Sequence, residues 1–109
     1  MVIIQRKYLY MFDLSTIERL KYYVYALIDP RGNKPFYIGK GKGNRIYNHV
    51  NNAIKLSKST DKLDIIREIR SSAKRVKHVI IRHGLDEDDA FKIESSLIDL
   101  LDHIGFDLK

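Results

Sequence analysis

Between Phe36 and His49 the chain reads Phe36-Tyr37-Ile38-Gly39-Lys40-Gly41-Lys42-Gly43-Asn44-Arg45-Ile46-Tyr47-Asn48-His49. Glycines alternate with lysines, behind what reads as the end of a strand and ahead of what reads as the start of a helix. Glycine lets backbone N–H groups come close to an anion, and the lysines add positive charge. A helix N-terminus just behind would add its own partial positive charge. The chemistry that fits is phosphate binding. The same residues also suit a glycine-rich turn with solvated lysines, and the stretch alone leaves both readings open.

A second residue with chemical potential lies far along the chain. Ala90, Ile93, Leu97, Ile98 and Leu101 mark the buried face of a late helix, and Glu94 falls inside that stripe. A carboxylate there costs stability unless it is paired, hydrogen-bonded or bound to a cation. Either it forms a structural salt bridge with one of the arginines or it is a site acid at the edge of the core. His78, His83 and His103 lack the spacing of metal ligands and read as structural.

The distribution of charge says which partner these residues suit. The 109-residue chain carries a net charge of +6, with 44% hydrophobic and 31% charged residues, as expected of one globular domain. Residues 1–33 hold 5 basic against 3 acidic side chains, residues 34–82 hold 13 against 3, and residues 83–109 hold 2 against 8. A basic middle suits a phosphate-bearing polymer, and an acidic tail leaves carboxylates available for a metal. There is no cysteine, so disulfides and thiolate metal sites are excluded. No apolar run is long enough to span a membrane and no signal peptide opens the chain, so no membrane partner is expected. The expected location is intracellular, in cytoplasm or nucleus.

The elements that must position these residues follow from pattern. Residues 1–21 read as an N-terminal extension packed on the domain, with Asp13 or Ser15 capping a short helix through Leu20. Tyr22–Ile28 and Pro35–Ile38 read as strands of an antiparallel hairpin around Asp29-Pro30-Arg31-Gly32-Asn33. Both are apolar on both faces, which suggests central strands or strands covered by helices. Helices are expected over Asn44–Leu56 and Asp61–Ala73, separated by the polar break Ser57–Thr60. The outer face of the second carries Lys62, Arg67, Arg70 and Lys74, either a phosphate-contacting flank or a solvated face. Val76–Arg82 is a third strand closed by Gly84; Asp86 then caps a helix whose first turn holds Glu87, Asp88 and Asp89 and which stops near Gly105.

Taken together these residues resemble the GIY-YIG nuclease domain, over roughly residues 22 to 104. Tyr23-Val24-Tyr25, a turn, Tyr37-Ile38-Gly39, Arg45 and His49 on the next helix, and Glu94 on a late helix appear in the family's order. Tyr23 stands where the first motif has glycine and Val24 where it has isoleucine. The run Ile28-Asp29-Pro30-Arg31 with Phe36 to Arg45 is most similar to the LEM-domain, ankyrin-repeat endonuclease branch. The resemblance implies an α+β domain over residues 22–109, with a three-stranded antiparallel sheet flanked by helices. It implies hydrolysis of a nucleic-acid phosphodiester with one divalent ion, Mg2+ or Mn2+. Glu94 would hold the metal, Arg45 would stabilise charge on the phosphate, Tyr37 or Tyr25 would orient or deprotonate the attacking water, and His49 would support the site. Lys40, Lys42 and Arg45 would reduce the pKa of that tyrosine, with the metal. Lys40, Lys42, Arg45, Lys55, Lys58, Arg67, Arg70 and Lys74 are the candidate contacts to DNA, with RNA also open. The family usually carries an asparagine after the glutamate helix, and Phe106-Asp107-Leu108-Lys109 supplies none; the expectation is a longer parent chain or a weakened site.

Two other functions remain in view. A non-catalytic nucleic-acid-binding module accounts for the basic middle but leaves Glu94 unexplained. Nucleotide binding would use Gly39, Gly41 and Gly43, but the third glycine of a dinucleotide fingerprint falls on Asn44 and no GK[ST] follows.

Overall fold

The computed structural model describes residues 3–6 and 9–109, with side chains described from residue 11 onward. Among the described residues, five strands and four helices follow in the order β1 (Ile3–Arg6), β2 (Leu9–Phe12), α1 (Leu14–Leu20), β3 (Tyr22–Asp29), β4 (Lys34–Lys42), α2 (Arg45–Lys55), α3 (Asp61–Ser71), β5 (Lys77–Leu85) and α4 (Glu87–His103). Strands β1 and β2 form a hairpin of their own, while β4-β3-β5 make a separate antiparallel sheet. This is the α+β, three-stranded arrangement expected from the sequence.

Strand β3 is central and explains itself by alternation. Tyr23, Tyr25 and Leu27 point to one face, where they join Phe36 of β4 and Ile46, Tyr47, Val50, Leu63, Ile66 and Ile69 of α2 and α3. Val24 and Ala26 point to the other, where Ile38 and Ala90 meet Ile93, Leu97, Ile98 and Leu101 of α4. A strand buried on both faces has no polar side to show, which is why it reads as a continuous apolar run. Strand β4 is an edge strand and not a central one, yet it is covered on both faces by the same helices. Residues 11–20 add Phe12 and Leu20 to the core; the Phe12 ring meets Tyr47 edge-on at 4.9 Å. Asp13 is the α1 cap, its carboxylate accepting from the Thr16 amide.

Two strands run further than their sequence suggests. Strand β4 continues through Gly39 and Gly41 to Lys42, and β5 continues through Gly84 to Leu85. Gly84 has φ +73, so a left-handed residue inside β5 takes the place of the expected stop. The β3–β5 register shifts on either side of Val24, the sign of an irregular ladder at that end. Helix α4 begins where expected, with Asp86 accepting from the Asp89 amide and three acids in the first turn. Among the described residues no helix is long and apolar enough to cross a membrane.

Candidate active site

Two glycines of β4 shape the site by what they lack. Gly39 pairs with Tyr25 across the β3–β4 ladder, and a Cβ there would come within 2.8 Å of the rings of Tyr25 and Tyr37. Gly41 pairs with Tyr23, and a Cβ there would lie 2.9 Å from Cβ of Arg45. Positions two apart on a strand share a face, so the two glycines clear one side of β4 for aromatic rings and for the stem of Arg45. The glycine repeat is therefore a strand feature and not an anion-cradling loop, which also removes the nucleotide-binding reading. Gly43 alone is left-handed, at φ +62, where the strand turns into α2.

The start of α2 is held from the sheet. Asn44 makes no side-chain cap to its own helix; its side-chain oxygen accepts instead from the Phe12 amide. The Tyr23 hydroxyl takes over the capping role, accepting from the Ile46 amide at 3.0 Å and donating to the Gly43 carbonyl at 2.7 Å. One of the helix's unpaired N–H groups is thus already occupied, and Arg45 projects from the turn that Tyr23 fixes.

Behind that turn lies an aromatic cluster. The Tyr25 hydroxyl is 2.8 Å from His49 Nε2. The Tyr37 ring meets His49 at 4.5 Å and Tyr25 at 6.0 Å between centroids. The Lys62 ammonium, from the first turn of α3, sits 4.5 Å over the Tyr37 ring. Burial above all, with the charges of Lys62 and Arg45, pulls His49 down to about 4, so its imidazole is neutral at physiological pH. Burial pushes the Tyr25 phenol upward, helped by its neighbours Tyr37 and Tyr23. Burial also raises Tyr37, and the Glu94 carboxylate raises it further; Tyr25 and Arg45 work the other way without reversing the shift. The expected lowering of a tyrosine pKa by Lys40 and Lys42 is therefore absent. A cation next to Glu94 would remove one of the two causes that raise it.

Around the edge of β4 opens a cavity of about 380 Å³ lined by Tyr22, Tyr37, Lys40, Gly41, Lys42, Arg45, Glu87 and Glu94. Glu94 is half-buried on its wall, at the edge of the core. It forms no ion pair among the described residues, so the structural salt bridge considered for it is not what holds it there. No group of three acids or histidines with metal-binding geometry occurs among the described residues. A carboxylate on an open wall still fits a hard divalent ion, which keeps most of its waters and takes one or two carboxylates plus substrate phosphate oxygens.

The structure thus brings Tyr25, Tyr37 and His49 into one cluster and places Tyr37, Arg45, Glu94, Lys40 and Lys42 around one cavity. It does not bring all the expected basic contacts there. The Arg67 guanidinium donates to the carbonyls of Ala53, Leu56 and Lys58, at 3.2, 2.6 and 2.8 Å, and so ties the α2–α3 connection together. That occupation corrects its reading as a phosphate contact. Lys74 follows the C-terminal end of α3, where its charge acts on Asp29 at the hairpin tip, the far end of β3 from Lys42. Lys55, Lys58 and Arg70 are exposed. Three further residues line the cavity or cluster without having been read as part of the catalytic site. Glu87 read as a helix-dipole acid, Tyr22 as a strand residue and Lys62 as one cation of a flank.

A three-stranded sheet whose edge is flanked by two helices, with an arginine and an acid lining one cleft, makes a small α+β domain. The profile of the LEM-3-like GIY-YIG domain matches residues 22–106, and the chain belongs to that family. Its function is accordingly of the nuclease type, on nucleic acid. Neither the curated proteins nor the solved structures provide a match.

Proposed function

We propose that this chain is a metal-dependent endonuclease that hydrolyses phosphodiester bonds of DNA. The observation that carries the proposal is that Arg45, Glu94 and Tyr37, from α2, α4 and β4, face one cavity bordered by Lys40 and Lys42. Phosphodiester hydrolysis places charge on the equatorial phosphate oxygens and needs an aligned water. Arg45 meets that charge with its guanidinium. The Tyr37 hydroxyl, kept protonated near neutral pH by burial and by Glu94, accepts a hydrogen bond from the water and aligns it. Tyr25 and the neutral His49 hold the Tyr37 ring from behind. Glu94 would hold one Mg2+ or Mn2+, which when bound supplies charge neutralisation at the phosphate. Lys40 and Lys42 take the neighbouring backbone phosphates, as sequence-independent cations do.

Conversion of supercoiled plasmid to nicked and linear forms, in magnesium or manganese and in chelator, tests the proposal. Conversion that requires the metal supports it. Equal conversion in chelator would remove the metal role, and binding without conversion under any condition would leave a nucleic-acid-binding module.

A further inference from the structure

Lys62 is the second residue of α3, and three observations single it out. Its ammonium lies 4.5 Å from the centroid of the Tyr37 ring, where the ring quadrupole attracts a cation. The charges that lower its pKa are those of Lys58 and Arg45, both cations, and it forms no ion pair among the described residues. Its place is fixed by its own helix: the Thr60 hydroxyl caps α3 by accepting from the Leu63 amide, and Arg67 ties the preceding connection. A free lysine beside two cations would swing into water. This one stays half-buried, and the Tyr37 ring is the partner that holds it. Burial and the two like charges also keep its ammonium below the usual lysine range.

Tyr37 gains as much from the contact. It meets Tyr25 of β3 and His49 of α2 and crosses the bare Cα of Gly39. Its hydroxyl has to reach the cavity shared with Arg45 and Glu94, and the ring must not swing away from it. Lys62 adds a contact from α3, and its charge disfavours a second positive charge on His49.

We propose that Lys62 is a positioning residue of the nuclease site: its ammonium, stacked on the Tyr37 ring, fixes that ring so that the hydroxyl stays at the cavity of Arg45 and Glu94. The proposal rests on the water-aligning role of Tyr37 given above. It makes the start of α3 part of the site, through one side chain that touches neither substrate nor metal.

The test compares wild type, Lys62→Met and Lys62→Arg in plasmid nicking with magnesium, separating kcat from KM. Methionine keeps the stem without the charge, and arginine keeps a cation that stacks on rings. Lys62→Met is expected to lose about tenfold in kcat with KM within about twofold, and Lys62→Arg to recover most of the loss. In NMR spectra the Lys62 ε-methylene protons of the wild type are expected upfield of their ordinary position, returning to it in Tyr37→Leu. Unchanged kcat with a raised KM would make Lys62 one more backbone cation and overturn the proposal, as would ε-protons at their ordinary shift. An active wild type equalled by Lys62→Met fails this proposal alone. A wild type that cuts nothing fails the nuclease reading, and this proposal with it.

Discussion

The Tyr25 hydroxyl lies 2.8 Å from His49 Nε2, a single bond that ties the central strand to α2 inside the candidate site. With His49 neutral and Tyr25 kept protonated, one hydrogen bond joins the hydroxyl and Nε2, its direction set by the imidazole tautomer. Tyr25→Phe removes the hydroxyl and leaves the half-buried Nε2 of His49 without this partner. Urea denaturation is expected to show a loss of about 1–2 kcal/mol, and plasmid cleavage is expected to slow because Tyr37 loses part of its backing. Unaltered stability and rate would mean that the bond carries neither load.

The same burial predicts a pH dependence of stability. His49 and His78 both titrate at about 4, against 6.5 for a free side chain, chiefly through burial. Between those values the unfolded chain binds protons that the folded chain refuses. Stability therefore rises with pH across this window and is lost as pH falls from 6.5 toward about 4. A melting temperature that drops over that range, and drops less in His49→Gln/His78→Gln, is the expected outcome. A flat profile in the wild type would contradict the burial of both rings.

Gly39 offers a sharp packing test. Gly39→Ala brings a methyl within 2.8 Å of two rigid rings, whereas Gly32→Ala at the hairpin tip meets nothing within 4 Å. Gly39→Ala is expected to cost about 1–3 kcal/mol, as overpacking does, and Gly32→Ala to be close to neutral in the same denaturation assay. Equal behaviour of the two would show that the rings do not lie across Gly39.

Arg67 and Arg45 look alike in sequence and are expected to fail in different ways. Arg67→Ala frees three carbonyls at the α2–α3 connection and is expected to lower stability by about 1–3 kcal/mol. Arg45→Ala is expected to leave stability near wild type and to slow cleavage by about a hundredfold or more, with little change in DNA affinity. A collapse of affinity with rate preserved at saturating protein would make Arg45 an anchor and not a catalytic residue.

These contrasts also mark what was legible in the sequence. The Tyr22–Ile28 strand, the two middle helices and the Asp86 cap could be read because each follows from local alternation, helical spacing or side-chain capping. The end of β4 could not. Glycine signals a turn when the chain is read locally, and only the rings of Tyr25 and Tyr37 and the stem of Arg45 explain Gly39 and Gly41 as strand residues. Glu94 stood out by its place in an apolar stripe, yet its exposure to a cavity depends on the open edge of β4. Arg67 and Lys62 share a helix with the same outward pattern, and what each touches is set by the α2–α3 connection, a tertiary fact without a local signature. The hairpin of β1 and β2 precedes the family match and lies in the stretch readable only as an N-terminal extension.

If Glu94 serves cleavage and not folding, the nicking rate of Glu94→Gln in magnesium will show it. The amide keeps the shape of the side chain and removes the charge that would hold a cation. With DNA affinity near wild type, the rate is expected to fall to that of protein-free plasmid. Cleavage by Glu94→Gln at the wild-type rate would contradict the account.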